Sequence, residues 1–155
     1  MIRTYQYRLY PHKSQREALD FILWRQCILY NAALEQRKTV YEETGKGIRY
    51  VEQWAHFRDE RRAHPDTFGQ VNATSLQQLL RRVDKAYQAF LKAGETPGYP
   101  RFRGRNRFHS MAFKHGDGVK LYQNERGQTR LRLQNVGDVK VKFHRQLPAG
   151  SRIKH

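Results

Sequence analysis

The sequence predicts an α+β fold in which a β domain is interrupted by a helical insertion. Three observations lead there. Residues 2–10 alternate as a strand does, residues from Ser14 to Lys92 carry apolar side chains at spacings of three and four, and beyond Pro97-Gly98-Tyr99-Pro100 the pattern returns to alternation. The order strand, three helices, several strands suggests that residues 2–10 pair back with the C-terminal strands.

Each element has its own signal. In residues 2–10, Tyr5, Tyr7 and Leu9 share one face, Thr4, Gln6 and Arg8 the other, and Pro11 ends the strand. Ser14-Gln15-Arg16-Glu17 matches a capping box, in which Ser14 and Glu17 satisfy each other's unpaired backbone donors. A helix is expected from there to about Glu43, with Leu19, Ile22, Leu23, Cys27, Tyr30, Ala33 and Leu34 at helical spacing; at ~1.5 Å per residue it is a rod of roughly 45 Å. Gly45-Lys46-Gly47 ends it. A second helix is expected from Tyr50 to about Ala63, carrying Trp54 and Phe57, with a break at His64-Pro65-Asp66. A third runs from about Asn72, its cap, to about Lys92; Leu76, Leu79, Leu80, Val83, Tyr87 and Phe90 build one apolar stripe, the mark of a helix packed on helices. After the Pro-Gly connector, short strands are expected at Phe108–Lys114 and Val119–Gln123. A turn follows at Glu125–Gln128. Thr129, Leu131 and Leu133 then alternate with Arg130 and Arg132, and Val139, Val141 and Phe143 with Lys140, Lys142 and His144, so each of these strands has a core face and a cationic face.

Charge narrows the function. The 155 residues hold 30 Lys+Arg against 14 Asp+Glu, formally +16. Such a surplus repels itself on folding, and a nucleic-acid backbone is the commonest partner that relieves it. An anionic membrane is the other candidate, disfavoured because no run of about 20 apolar residues and no strongly basic amphipathic helix stands out. The N-terminus has no apolar signal region, and the reading is a cytoplasmic protein. The one cysteine, Cys27, excludes an intrachain disulfide or a CxxC zinc site within these residues and reads as a buried, inert thiol. The charge is also lopsided: residues 1–77 hold 12 Lys+Arg and 9 Asp+Glu, residues 78–155 hold 18 and 5, and the stretches 96–116 and 139–155 contain no acid. That asymmetry points to a directional basic face.

The densest part of that face is Pro97 to Lys114. Arg101, Arg103, Arg105 and Arg107 recur every second residue, which in an extended chain sets four guanidinium groups on one side, each able to grip phosphate oxygens with a planar fork. Tyr99 and Phe102 offer ring faces for base stacking. The plainer reading is a solvated charge run with buried phenylalanines; the lack of nearby acid favours binding. The third helix adds Thr74, Gln77, Gln78, Arg81 and Arg82, types that read base edges or phosphates but also compose ordinary solvated helix exteriors. Lys140 and Lys142 extend the backbone-binding set. For catalysis there is little: the carboxylates are scattered, the seven histidines form no H-x-H or HExxH pair, and no G-x-S-x-G, Walker-type or GxGxxG loop occurs. A small hydrolase is therefore the weakest reading. No small-molecule substrate is expected.

Five segments in order resemble a known family. Tyr7-Arg8-Leu9-Tyr10-Pro11, Leu29-Tyr30-Asn31-Ala32-Ala33-Leu34, Ser75 to Leu80 with Asp84-Lys85-Ala86-Tyr87 and Phe90, Gly98-Tyr99-Pro100-Arg101-Phe102-Arg103, and Leu131 to Val141 resemble the N-terminal part of the transposon-encoded TnpB (OrfB) proteins, RNA-guided DNA nucleases of prokaryotes. The resemblance implies an oligonucleotide-binding-like β-barrel, the wedge domain, with a helical recognition domain of about three helices inserted after its first strand. Residues 1–11 would then be the first wedge strand, 12–96 the recognition domain, and 97–155 the basic connector and remaining strands. It implies as partners a guide RNA and a double-stranded target DNA, with sequence read by base pairing and a short flanking motif read by protein. By similarity the motif-reading positions fall at Tyr50, Trp54, Thr74 and Gln77, and at Lys114 and His115. The family's RuvC carboxylates and zinc finger, with their magnesium and zinc, lie beyond the part that these residues match. No cofactor and no cleavage are therefore expected of residues 1–155, and a separate RuvC-containing chain is a possible partner. A nucleoid-associated location follows. The competing reading is a stand-alone helix-turn-helix DNA-binding protein, a transposase accessory or repressor without RNA.

Overall fold

The computed structural model describes residues 1–92 and 98–154. The fold is α+β, with three α-helices and one five-stranded mixed sheet. In chain order the elements are β1 (Arg8–Tyr10), α1 (Lys13–Thr44), α2 (Tyr50–Ala63), α3 (Ala73–Lys92), β2 (Lys114–His115), β3 (Gly118–Gln123), β4 (Thr129–Leu133) and β5 (Gly137–Lys142). The chain divides into two compact units, Met1–Phe21 with Phe113–His155, and Ile22–Ala112. Helix α1 gives its first turns to the first unit and the rest to the second.

In the sheet unit the strand order is β1-β5-β4-β3-β2, so the opening strand does pair with the last one, Leu9 standing opposite Val141. The pairs are antiparallel except β2 with β3, which is parallel. Strands β1 and β2 are the two edges and do not pair, so the expected barrel is not closed: the described residues form an open sheet. Leu9, Val141, Val139, Leu131 and Leu121 share one face by register, and Leu133, Val139 and Val141 are buried. The β3–β4 turn is built by Asn124, whose Oδ1 accepts from the backbone N–H of Arg126 (3.1 Å) and Gln128 (2.9 Å), with Gly127 at a positive φ of 71° that a side chain would resist.

Two expected strands are shorter than the alternation suggested, and a third, the last, ends at Lys142 and leaves out Phe143 and His144. The first spans Arg8–Tyr10, because β5 ends at Lys142 and the chain then turns: the N–H of Phe143 bonds back to the Val141 carbonyl and that of His144 to the Lys142 carbonyl, both at 3.1 Å. No ladder partner remains for residues before Arg8. Their aromatic positions are held by side chains instead. Tyr7 stacks on Phe143 with centroids 4.9 Å apart, and its hydroxyl donates to the Arg145 carbonyl at 2.8 Å. The expected strand Phe108–Lys114 survives only as Lys114–His115. The α1 cap also differs. The helix starts two residues earlier than a Ser14 cap implies, with His12 in the cap position, and Gln15, not Glu17, accepts from the backbone N–H of His12 (3.2 Å); its amide also donates to the Asp138 carbonyl (3.0 Å), tying the helix start to β5. Burial of Gln15 explains the choice, since a glutamine satisfies a donor and an acceptor at once and a glutamate accepts only.

In the helical unit most of the expected apolar positions meet, with Leu29 added to them and Ile22 and Phe90 left outside the buried cluster. Cys27, Leu29, Tyr30, Ala33 and Leu34 of α1, Phe57 of α2, and Leu76, Leu79, Leu80 and Val83 of α3 are buried together, with Phe108. Asn72 caps α3 as expected, its Oδ1 accepting from the Ser75 N–H at 2.9 Å. Buried polar side chains lock the three helices. The Gln26 amide of α1 donates to the Ser75 hydroxyl of α3 at 2.7 Å. Arg37 of α1 donates through Nε to Gln53 Oε1 of α2 (3.0 Å) and through a terminal nitrogen to Asp84 of α3 (2.8 Å), while Gln53 Nε2 donates to the Ala33 carbonyl at 2.8 Å. Burial pushes the Cys27 thiol above its ordinary pKa, which suits an inert core residue.

Candidate nucleic-acid interface

Residues 98–112 pack on the helices, and that packing decides how the arginines are presented. Asn31 of α1 holds the backbone at Arg103 with two bonds: its Nδ2 donates to the Arg103 carbonyl and its Oδ1 accepts from the Arg103 N–H, both at 2.8 Å. The amide side chain thus takes the place of a ladder partner. The Cys27 thiol donates to the same carbonyl at 3.2 Å. Five residues on, Phe108 is 3% exposed, tilted against Tyr30 at 5.9 Å, with the Arg82 guanidinium 4.8 Å over its ring. Arg82 also donates to the Ser110 carbonyl at 2.9 Å. The Ser110 carbonyl is thus taken by a helix side chain and the Phe108 N–H by the Arg105 carbonyl (3.4 Å), so neither joins a strand ladder.

Between these two anchors the chain is not extended. Gly104–Phe108 closes a 3-10 turn, with Arg107 N–H bonding to the Gly104 carbonyl (2.9 Å). The four guanidinium groups are consequently not in one row: Arg101 and Arg103 precede the turn and Arg105 and Arg107 sit within it, where residues two apart diverge at three residues per turn. All four are exposed, and none is in an ion pair among the described residues. The Arg105 guanidinium lies 5.8 Å over the Trp24 ring of α1.

The two stacking candidates differ. Phe102 is 56% exposed, next to the Arg103 anchor. Tyr99 is 40% exposed, but its ring meets the edges of Tyr87 (5.2 Å) and Phe90 (5.5 Å) and its hydroxyl is hydrogen-bonded to that of Tyr87. Desolvation, then the charges of Glu42 and Glu35, raises its pKa. Tyr99 is built into the helical unit, and Phe102 is the more open ring.

Tyr50 opens α2 and lies 5.6 Å under the Arg81 guanidinium. With Gln78, Arg81, Arg82, Asp84, Lys85 and Gln88 of α3 it lines a groove of about 530 Å³. Trp54 packs half-buried against the core. Thr74 and Gln77 are half-buried in the first turns of α3 and do not line that groove; Gln78 does. The polar stripe Gln78, Arg81, Lys85, Gln88 was legible in the spacing of three and four. Lys114 and His115 form β2 in the sheet unit, where the Leu121 N–H donates to His115 Nε2 at 3.3 Å. The six positions expected to read a motif are thus divided four and two between the units. Lys140 and Lys142 are exposed on β5, opposite Tyr10 and Arg8 of β1. No group of three or more His, Cys, Asp or Glu side chains among the described residues is placed to hold a metal ion.

The residue that pattern reading passed over is Asn31. Replacing it by alanine removes both bonds to Arg103 and is expected to cost about 1–3 kcal/mol. It should also abolish hydrogen-exchange protection of the Arg103 amide, read by exchange mass spectrometry over residues 98–108. Protection that persists in Asn31→Ala would show that the segment is held elsewhere.

A family model described as a helix-turn-helix domain, HTH_OrfB_IS605, matches residues 1–46. Within those residues the structure holds β1 and α1, a single helix of 32 residues. No curated protein matches the chain. The opening third of the chain is thus similar to the helix-turn-helix domain of the transposase-associated OrfB group, and that similarity supports DNA binding.

Proposed function

We propose that the chain is the nucleic-acid-holding part of a TnpB-like RNA-guided system, binding a guide RNA and the guide–target duplex and reading a short motif beside the target. The observation that carries this is the acid-free arginine segment, exposed from Arg101 to Arg107 and clamped to the helices at Arg103 and Phe108. A segment held in this way keeps its guanidinium groups presented before the ligand arrives, which lowers the ordering cost of binding. The similarity of residues 1–46 to the OrfB group supports the family part of the reading. The groove beside Tyr50, with Gln78, Arg81, Lys85 and Gln88, is the proposed place for the flanking motif, since Gln and Arg there present donors and acceptors to base edges. The function assigned to these residues is binding; strand cleavage is assigned to a RuvC domain, in this polypeptide or in a partner.

The test is the RNA that accompanies the protein. Protein purified from its own cells is expected to carry one structured transcript from its own locus, identified by sequencing the bound RNA. Random RNA, or none beside tight binding to duplex DNA, would overturn the guide reading in favour of a DNA-only helix-turn-helix protein. Incubation with target DNA and magnesium should leave the DNA uncut by residues 1–155.

A further inference from the structure

The sheet unit carries a second surface that the arginine segment does not use. Register places Tyr10 of β1 opposite Lys140 of β5, Lys140 opposite Arg130 of β4, and Arg130 opposite Tyr122 of β3. Directly opposed residues of antiparallel strands point to the same side. The row Tyr10, Lys140, Arg130, Tyr122 therefore crosses four strands on the face away from Leu9, Val139 and Leu131. At ~4.8 Å per strand its two ring positions stand about 14 Å apart. Arg8 faces Lys142 in the row on one side, and Asp138, Arg132 and Lys120 form the row on the other.

Like charges oppose one another at three places on this face: Arg8 with Lys142, Lys140 with Arg130, and Lys120 with Arg132. Such pairs destabilise a sheet unless a polyanion lies over them. The one acid in these rows, Asp138, is taken by Arg132 through two bonds of 2.9 and 3.2 Å, which holds its carboxyl below the ordinary range. A depressed carboxylate keeps its pair above the unfolded pKa and loses it only as pH falls through the lower folded value. At neutral pH it thus neutralises Arg132 and in part Arg130, while Arg8, Lys120, Lys140 and Lys142 are in no ion pair among the described residues. Arg8 and Lys140 approach the Tyr10 ring at 5.4 and 5.9 Å, and Arg132 the half-buried Tyr122 ring at 5.1 Å, with the Tyr122 hydroxyl at the Arg132–Asp138 pair. Tyr10 is 44% exposed.

We propose that this face is a platform for single-stranded nucleic acid, with bases stacked on Tyr10 and Tyr122 and the intervening phosphates on Lys140 and Arg130, flanked by Arg8 and Lys142. Rings among cations select a polyanion that also has planar groups to offer. A duplex keeps its bases stacked inside, and an anionic membrane has none. The ring spacing is several times the ~3.4 Å rise of stacked bases, so the strand runs splayed across the sheet. The inference rests on the reading above only in taking nucleic acid as the ligand.

The test uses the full chain with fluorescent oligouridylate, oligothymidylate and a blunt duplex, read by anisotropy. Tyr10→Ala and Tyr122→Ala should each weaken single-strand binding roughly five- to a hundredfold, while duplex binding stays as in the wild type. Tyr10→Phe and Tyr122→Phe should bind as the wild type, because stacking needs the ring and not the hydroxyl. In the unaltered protein, 5-iodouridine in the oligonucleotide should crosslink to Tyr10 and Tyr122. Ring dependence with either strand sustains the proposal, and the tighter one identifies RNA or DNA as the ligand. Wild-type single-strand affinity in both alanine variants, or crosslinks confined to residues 98–112, would overturn it. The same titrations on protein carrying glutamine at Arg101, Arg103, Arg105 and Arg107 separate the two readings. Ring dependence that persists there supports the sheet platform whatever becomes of the arginine segment.

Discussion

Glutamine at Arg101, Arg103, Arg105 and Arg107 together is expected to flatten the salt dependence of RNA binding. The log–log slope should fall by roughly 0.7 for each single-strand phosphate that is no longer neutralised, and by roughly 0.9 for each duplex phosphate. Between 50 and 200 mM salt, four such phosphates account for roughly a 50- to 150-fold change in affinity, so the variant should shed most of that dependence. The four side chains are exposed and lack carboxylate partners among the described residues, so their removal takes charge from the ligand face without breaking an ion pair of the fold. The 3-10 turn adds a finer expectation. Arg105 and Arg107 point apart, so one rigid backbone cannot engage all four equally, and single substitutions should differ in slope. An unchanged slope in the fourfold variant would place the phosphate-binding face elsewhere.

Arg37→Ala should be strongly destabilising for a polar substitution in the helical unit, at about 2–4 kcal/mol. Arg37 is 6% exposed and, among the described residues, is the one side chain that bonds both Gln53 of α2 and Asp84 of α3. Without it the buried Gln53 Oε1 loses a donor and Asp84 loses its cation. The guanidinium also lies 5.0 Å over the Tyr87 ring, so packing goes with the charge. The carboxylate is 29% exposed and rehydrates in part, which keeps the cost below that of a fully buried pair. Arg37→Lys should recover only part of it, because a point ammonium cannot reproduce the fork that serves both partners. Urea denaturation followed by helical circular dichroism measures this. A loss below about 0.5 kcal/mol, the range of ordinary surface substitutions, would mean that the Arg37 bonds do not hold the three helices together.

Much of the architecture was legible in the chain. The three helices follow from apolar residues at spacings of three and four, a signal that burial of one face imposes wherever it occurs. Asn72 as a cap and β4 with its cationic alternation are equally local. Where the structure departs from those patterns, the causes are long-range. A capping box is a pattern of side-chain types, and it did not show that Gln15 sits where an acceptor and a donor are both wanted. Alternation in residues 2–10 and 101–107 is compatible with a strand, but a strand needs a partner. β5 stops at Lys142, and residues 101–108 lie against helices, where Asn31 and Arg82 accept and donate in place of a ladder.

The sequence by itself therefore determined the excess of positive charge, its concentration after residue 78, and the α+β order of elements, because composition and periodicity do not depend on what the chain meets. The tertiary structure alone decided which cations stand together. Asn31 reaches a backbone 72 residues away, Arg37 joins three helices, and Tyr10 enters a row with Lys140, Arg130 and Tyr122 from the other end of the chain. The open sheet belongs here too, since the edges left by β1 and β2 are a matter of which strands pair. These are long-range pairings, and a linear pattern carries no record of its partner.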